Sequence, residues 1–473
     1  MTHRHSFPSL IILTLIGGCT SSDGLICGEG TVEEDEQCIP DDQETGDTDT
    51  SEPDDPDLDT VDDDGDGFSE ADGDCDDEDP MVHPDGVDGL IADRNCDGLE
   101  AQGTLEWAEY EFIGESSDDY AGFWVSTAGD VDGDDLDDVL IGAYNHDATG
   151  VNAGAAYLVL GRSMNNHGSF NLSDADYKIV GEDDGDFAGY VVETAGDIDG
   201  DGLDDILVGA YGVDAKGPIT GAVYILLACN LGEPGTYDLS DADYKLLGES
   251  ERDFSAYALS TAGDVDGDGL ADVLVGASGQ DEGGTYAGAA YVILASSLSA
   301  NAPTELADAD YKFVGETDAD WAGYSLSSAG DVDGDGLGDL IIGADGDDGG
   351  EQAHASYVIL GRSLGDPRTI GLSESDYKII GESRYDYASS VSTAGDVDGD
   401  GLDDLVIGAA GRDVGGVNSG AAYVVLASRL GTTRDIDLST ADYVLIGERS
   451  EDVAGSTVSD AGDVDGDGLD DIV

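Results

Sequence analysis

Positive charge is what this chain has least of. Its 473 residues carry 16 Lys and Arg against 108 Asp and Glu, a formal net charge of −92. Nucleic acid and anionic membrane surfaces would be repelled, so neither is expected as a direct partner; bound cations are. Proline is scarce at 10 residues, and the 71 glycines recur at fixed places without a G-x-y period, which excludes collagen and points to many turns. Of six histidines, His3 and His5 sit at the extreme N-terminus, and His83, His146, His167 and His354 share no repeated position. There is no G-x-S-x-G, no H-E-x-x-H and no Cys–His pairing at a recognisable spacing. No catalytic residue and no organic cofactor is therefore assigned. Forty per cent of the chain is nevertheless hydrophobic, enough for a substantial core.

Long apolar runs are also lacking. Leu10 to Ile16 follows a short basic start and is too brief to span a bilayer, so residues 1–18 read as an export signal. The sequence "IGGC" that ends it resembles the lipobox of bacterial lipoproteins, which implies lipidation of Cys19 and a place at the outer membrane or cell surface. Plain cleavage and secretion is the alternative. Export makes disulfides permissible. Cys27 and Cys38 bracket one short loop and Cys75 and Cys96 an acidic one; two local bridges are the natural pairing among the three that four cysteines allow. Cys229, within "VYILLAC", is expected to be a buried free thiol.

Residues 19–38 form a small cysteine-bracketed segment, and 39–61 an acidic disordered linker with Pro, Ser and Thr. An acidic module covers 62–100, and from 104 to 473 everything repeats. "GDVDGDGL" stands at 263–270, 330–337, 395–402 and 462–469, with near-copies at 196–203 and 129–136. "GAAYLVL" (154–160) and "DADYKIVGE" (174–182) return on the same beat of about 67 residues. Each period holds four short segments rich in Val, Ile, Leu, Tyr and Ala, bounded by turn residues and without a convincing helix. Four strands per repeat predict an all-β fold, a β-propeller of four-stranded blades. The repeated Tyr157, Tyr224, Tyr291, Tyr357 and Tyr423 are expected to be structural.

The acidic turn has Asp at positions 1, 3, 5 and 9, usually Gly at 6, and Leu at 7. Alternate side chains of a tight loop can converge on one point, the glycine permits the turn, and the position-7 carbonyl can point inward. Six to eight hard oxygens suit Ca²⁺ better than Mg²⁺. An EF-hand is excluded, because position 12 is Ile141, Val208, Val275, Ile342 or Ile407 rather than a bidentate Glu. The expected ligands are Asp130, Asp132, Asp134 and Asp138; Asp197, Asp199, Asp201 and Asp205; Asp264, Asp266, Asp268 and Asp272; Asp331, Asp333, Asp335 and Asp339; Asp396, Asp398, Asp400 and Asp404; and Asp463, Asp465, Asp467 and Asp471. The carbonyls of Leu136, Leu203, Leu270, Leu337, Leu402 and Leu469 complete the cages, one ion per loop and up to six in all. Position 8 drifts among Asp, Ala and Gly, and changing it is expected to matter little.

An aromatic-Ala-Gly opening, D-x-D-x-D-G-x-x-D, "LLIGA"-like residues and then "GAAYV" resemble the FG-GAP repeats of integrin α-chain propellers and their bacterial relatives. The resemblance implies that the calcium loop joins the first two strands of each blade and that the ion stiffens one face of the ring. Blades would run at about 115–181, 182–248, 249–315, 316–381 and 382–447, with a sixth opening at 448 and stopping within its second strand. "TLEWAEYEFIGE" (104–115) matches the outer strand and would close the last of six or seven blades in a longer chain. The module at 62–100 resembles the MopE-type putative metal-binding motif and, more loosely, thrombospondin type 3 repeats. That implies metal binding by Asp62, Asp64, Asp66, Asp74 and Asp76, preferably of Ca²⁺, since only His83 would serve a softer metal. The expected function is a calcium-binding cell-surface adhesion or interaction module for an unidentified protein or glycan ligand. The alternatives are a non-catalytic targeting propeller of a larger secreted hydrolase or lyase, and a structural matrix component.

Overall fold

The structure, a computed structural model, describes residues 31–34, 37–40, 110–164, 168–298, 304–346, 354–383, 385–431, 433–464 and 468–473. The chain separates into two compact units, Thr20–Glu109 and Met1–Cys19 with Tyr110–Val473. In the first, the described element is one antiparallel pair, Thr31–Glu34 with Gln37–Pro40. Its second strand reaches Pro40, two residues into the expected linker. Cys19, Cys27, Cys75, Cys96 and the whole 62–100 module lie outside the described residues, and Cys38 is described by its backbone alone.

The second unit is all strand and single-turn 3-10 helix among its described residues, with no helix long and apolar enough to cross a membrane. Each repeat folds into one antiparallel sheet in the order of the chain. In blade 2 the strands are Val191–Gly196, Asp205–Ala210, Ala222–Leu226 and Tyr244–Leu247. The second and third are buried at every residue, which is why they read as apolar runs rather than as an alternation. The inner strands Val125–Gly129, Val191–Gly196, Ser255–Gly263, Ala322–Gly330 and Ala388–Gly395 pack one against the next in order, so the sheets are blades of a β-propeller. The core lies between blades: Leu140, Leu158 and Ile179 of blade 1 share one cluster with Ile206, Val208 and Tyr224 of blade 2.

Two joints were hidden in the pattern. First, blades 1, 3 and 4 have a fifth strand lent by the following blade. Gly235–Asp238 runs parallel to Tyr177–Val180, Arg368–Gly371 to Tyr311–Val314, and Asp435–Asp437 to Tyr377–Ile380. Tyr110–Ile113 is the outer-strand copy expected from the sequence, and Gly168–Asn171 covers it in the same parallel manner. Second, the glycine of "IGA" marks a close approach of backbones. A Cβ on Gly142 would sit 2.1 Å from the Gly189 carbonyl oxygen of the next blade, and one on Gly408 2.1 Å from that of Gly455.

Candidate metal centres

Each acidic loop leaves the end of an inner strand and enters the second strand of the same blade. Position 1 organises it. Asp197 Oδ1 accepts from the backbone N–H of Gly200 (2.7 Å) and Asp201 (3.1 Å), and its Oδ2 accepts from Gly202 (3.0 Å). Asp130, Asp264, Asp331 and Asp396 accept the same three bonds. Position 6 takes a left-handed conformation, φ +87° at Gly202; blade 1 forces Asp135 to φ 64° there. Position 5 is turned partly to the backbone, Asp201 Oδ1 accepting from Leu203 N–H at 2.9 Å.

Position 9 is the buried corner. Asp205 is shielded completely, its Oδ2 accepting from Ile198 N–H (3.1 Å) and its Oδ1 from Ala228 N–H (2.8 Å). Asp138, Asp272, Asp339 and Asp404 repeat both bonds. Burial pushes these carboxyls up, to about 6 at Asp138 and Asp404 and to about 7 at Asp205, Asp272 and Asp339. Positions 1, 3 and 9 converge. In Asp130–Asp132–Asp138, Asp197–Asp199–Asp205, Asp264–Asp266–Asp272 and Asp331–Asp333–Asp339, one oxygen from each lies within 4.8 Å of the others. Asp134, Asp201, Asp268 and Asp335 are not in these four groups, and the sixth loop is described in part, without Asp465 and Asp467.

Neighbouring loops are linked. The position-4 glycine of each lies against the position-7 leucine of the next, a Cβ on Gly200 falling 3.2 Å from Leu270 Cδ2 and one on Gly334 2.9 Å from Leu402 Cδ2. Position 8 is not idle, contrary to the expectation from its drift. Asp204 Oδ2 accepts from Asp130 N–H at 3.0 Å, Asp403 Oδ2 from Asp331 N–H at 2.6 Å and Asp470 Oδ2 from Asp396 N–H at 2.9 Å, each across a blade junction. Cys229 also corrects its expectation. It is a free thiol but exposed, because the strand ends at Leu226 and a 3-10 turn at Ala228–Asn230 swings it outward. Its Sγ lies 3.7 Å from Asp199 Oδ2; desolvation, then the Asp201 and Asp199 carboxylates, push the thiol up to about 11.

The opposite ends of the strands carry two features the sequence reading missed. One is a run of rings. Phe123 meets Tyr190 (centroids 5.1 Å), Tyr190 meets Tyr211 (4.5 Å) and Tyr257 (5.2 Å), and Tyr257 meets Tyr324 (5.3 Å), a continuous aromatic belt over four blades. Phe123 and Tyr324 are exposed. The residue opening each blade, Tyr120, Phe187, Phe254, Trp321 or Tyr387, has φ of 52–55°, a region bulky side chains seldom occupy. The signal was present in "YAGF", "FAGY", "FSAY" and "WAGY".

The other is a cation over each buried tyrosine. Lys312 Nζ lies 5.4 Å from the Tyr291 ring centre and pairs with Glu249 (3.0 Å) and Glu282 (2.6 Å). Lys178, Lys245 and Lys378 stand over Tyr157, Tyr224 and Tyr357 and pair with Glu115, Glu182 and Glu316. Blade 5 has Val444 in place of the lysine, and Arg412 supplies the cation from another strand's loop, 5.0 Å over Tyr423 and 2.5 Å from Glu382.

FG-GAP repeats match at residues 188–226, 255–293, 322–359 and 387–425, each from the opening of a blade to the end of its third strand. Among curated proteins the chain is similar to integrin alpha-PS2 of Drosophila melanogaster, 31% identical over 272 residues, 56% of this chain and 18% of that protein. Integrin alpha-5 of Xenopus laevis is 35% identical over 200 residues, 40% of this chain and 18% of its own length. Phosphatidylinositol-glycan-specific phospholipase D of Bos taurus is 27% identical over 216 residues, 43% of this chain and 24% of that enzyme. The similarity thus spans less than a quarter of each of these relatives.

Proposed function

We propose that this integrin-α-like FG-GAP β-propeller is a calcium-loaded binding module, exported to the cell surface, that holds a partner and performs no chemistry of its own. The observation that carries the calcium reading is the convergence of three carboxylates in each of four blades on one point at a strand end. The donor set is all oxygen, which fits a hard cation. Positions 1, 3, 5 and 9 and the position-7 carbonyl would hold it. The ion supplies charge: it offsets the repulsion of clustered carboxylates that otherwise opposes loop closure.

Occupancy at ten times Kd would stabilise each loop by about 1.4 kcal/mol. Extracellular sites of this kind work at about 0.1–1 mM Ca²⁺. Five loops then predict a melting temperature lower by about 10 °C in EDTA than at about ten times that calcium concentration, followed by ellipticity. An unchanged melt in EDTA would remove the reading.

The partner surface we place at the aromatic end, including loops 211–219 and 278–287, where exposed rings offer contact area at low entropic cost. A protein or glycan of the cell surface is the fitting class. Integrin α-chain relatives support a non-enzymatic role. The phospholipase D similarity favours the second reading, a targeting propeller within a larger secreted enzyme, which hydrolase activity in the full-length protein would identify. Lipidation at Cys19 and calcium at Asp62, Asp64, Asp66, Asp74 and Asp76 belong to the same proposal; labelling with radioactive palmitate and its loss in Cys19→Ser tests the anchor.

A further inference from the structure

In every blade the turn after the third strand is tied to the acidic loop in one way. The position-9 carboxylate accepts from the N–H at the head of that turn: Gly161, Ala228, Ala295, Gly361 or Ala427, at 2.7–2.8 Å. The following residue leaves that turn, and in blades 1, 2 and 4 its side chain reaches position 3. Its identity differs between blades: Arg162, Cys229, Ser296, Arg362 and Ser428.

In blade 1 the Arg162 guanidinium contacts Asp132 Oδ2, and in blade 4 Arg362 Nη1 lies 2.5 Å from Asp333 Oδ2. Burial of position 3 follows the same division. The Asp132 and Asp333 side chains are only 15% and 12% exposed, whereas Asp199, Asp266 and Asp398 are open to solvent. Each arginine covers its aspartate and brings one positive charge to a cage otherwise built of carboxylates.

We infer that Arg162 and Arg362 are resident counter-ions that divide the acidic loops into two classes. Resting on the calcium reading above, the loops of blades 1 and 4 take up the ion more weakly and keep their shape without it; those of blades 2, 3 and 5 take it up more tightly and depend on it. The sign is fixed by charge. A guanidinium beside position 3 removes part of the repulsion that calcium would otherwise relieve, and it repels the incoming dication. Half-exposed as both arginines are, at 50% and 51%, solvent screening leaves an effect of about tenfold in affinity.

Calorimetric titration of the whole chelated chain with CaCl₂ tests this. The wild type should show two classes of site. Arg162→Ser with Arg362→Ser, which installs the residue already present in blades 3 and 5, should move the weak class about tenfold tighter. Ser296→Arg should move one site the other way. In EDTA the double variant should melt below the wild type, and in saturating calcium with it. These side chains are half or fully exposed, so folding is not at stake. Calcium uptake in one class that neither substitution shifts overturns this inference alone. No calcium uptake by the wild type overturns it together with the calcium reading.

Discussion

At the acidic end of the blades five described loops repeat the same position-1 hydrogen bonds at the same offsets, whereas the other end drifts. There the belt tyrosine of blades 2 to 4 gives way to Ser390, and the loop "YGVDAKGPITG" of one blade is "SGQDEGGTYAG" in the next. Each acidic loop must close on itself, and its buried position-9 carboxylate must find two N–H donors in every blade. The far end asks less. A cation must stand over the tyrosine, but it can come from Lys312 on the outer strand or from Arg412 in the loop after the second. Uniform chemistry at one end and substitutable chemistry at the other is what a scaffold with a variable contact face requires.

The largest effect expected from breaking this contrast is at position 9. Asp272→Ala strands the buried N–H groups of Val265 and Ala295, and should cost about 3 kcal/mol already in EDTA and more in calcium, where a ligand is lost as well. Asp268→Ala, at exposed position 5, should cost its stability chiefly in calcium. Urea titrations under both conditions separate the two; a cost in EDTA no larger for Asp272→Ala than for Asp268→Ala would mean position 9 has no framework role of its own. Next comes Lys312→Met at the aromatic end. It leaves Glu249 and Glu282 facing each other over Tyr291 without a cation, at a cost of about 2 kcal/mol. Restoring a cation from the second-strand loop, as Arg412 does in blade 5, should recover part of it. No recovery would show that the lysine's own strand position matters.

Between the two ends, Glu193 joins blade 2 to blade 1, its Oε1 accepting from Trp124 Nε1 (3.2 Å) and its Oε2 from Ser126 Oγ (2.6 Å). Burial pushes its carboxyl up from 4.5 to about 7. The folded state therefore holds the proton longer than the unfolded state, and stability falls as pH rises from about 4.5 through about 7. Glu193→Gln should match the wild type at pH 4 and exceed it at pH 8, by about 1–2 kcal/mol in chemical denaturation. A gain that is independent of pH would place the effect in packing rather than ionisation.

Most of the blade was legible because its determinants are local: turn glycines, apolar runs and a beat of about 67 residues name four strands and a carboxylate loop. What escaped is non-local or turns on a single bond rotation. The fifth strand, "GTYD" or "RTIG", has no alternation of its own and exists only as a parallel partner of another blade's edge. Cys229 sits in an apolar run, yet one 3-10 turn after Leu226 sends it to the surface. The repeat of the tyrosines implies a structural role, but Lys178 and Glu115, 63 residues apart, are what give Tyr157 its partner.

Position 8 tests how far drift in a repeat can be read as indifference. At three junctions the aspartate there accepts a backbone N–H from the preceding loop; at the junctions with Ala271 and Gly338 only the backbone bond remains, to Asp197 O (3.0 Å) and Asp264 O (2.7 Å). The fold thus tolerates loss of the side-chain bond without being blind to it. Asp204→Ala frees the Asp130 N–H in a partly solvated setting and should cost about 1 kcal/mol. The exposed Asp137→Ala, at the same position of blade 1, should stay within about 0.5 kcal/mol of wild type. The cost at Asp204 should appear in EDTA as well as in calcium, because the bond links loop to loop and not loop to ion. Should Asp204→Ala be as silent as Asp137→Ala, adjoining loops are coupled by their backbones and leucines alone.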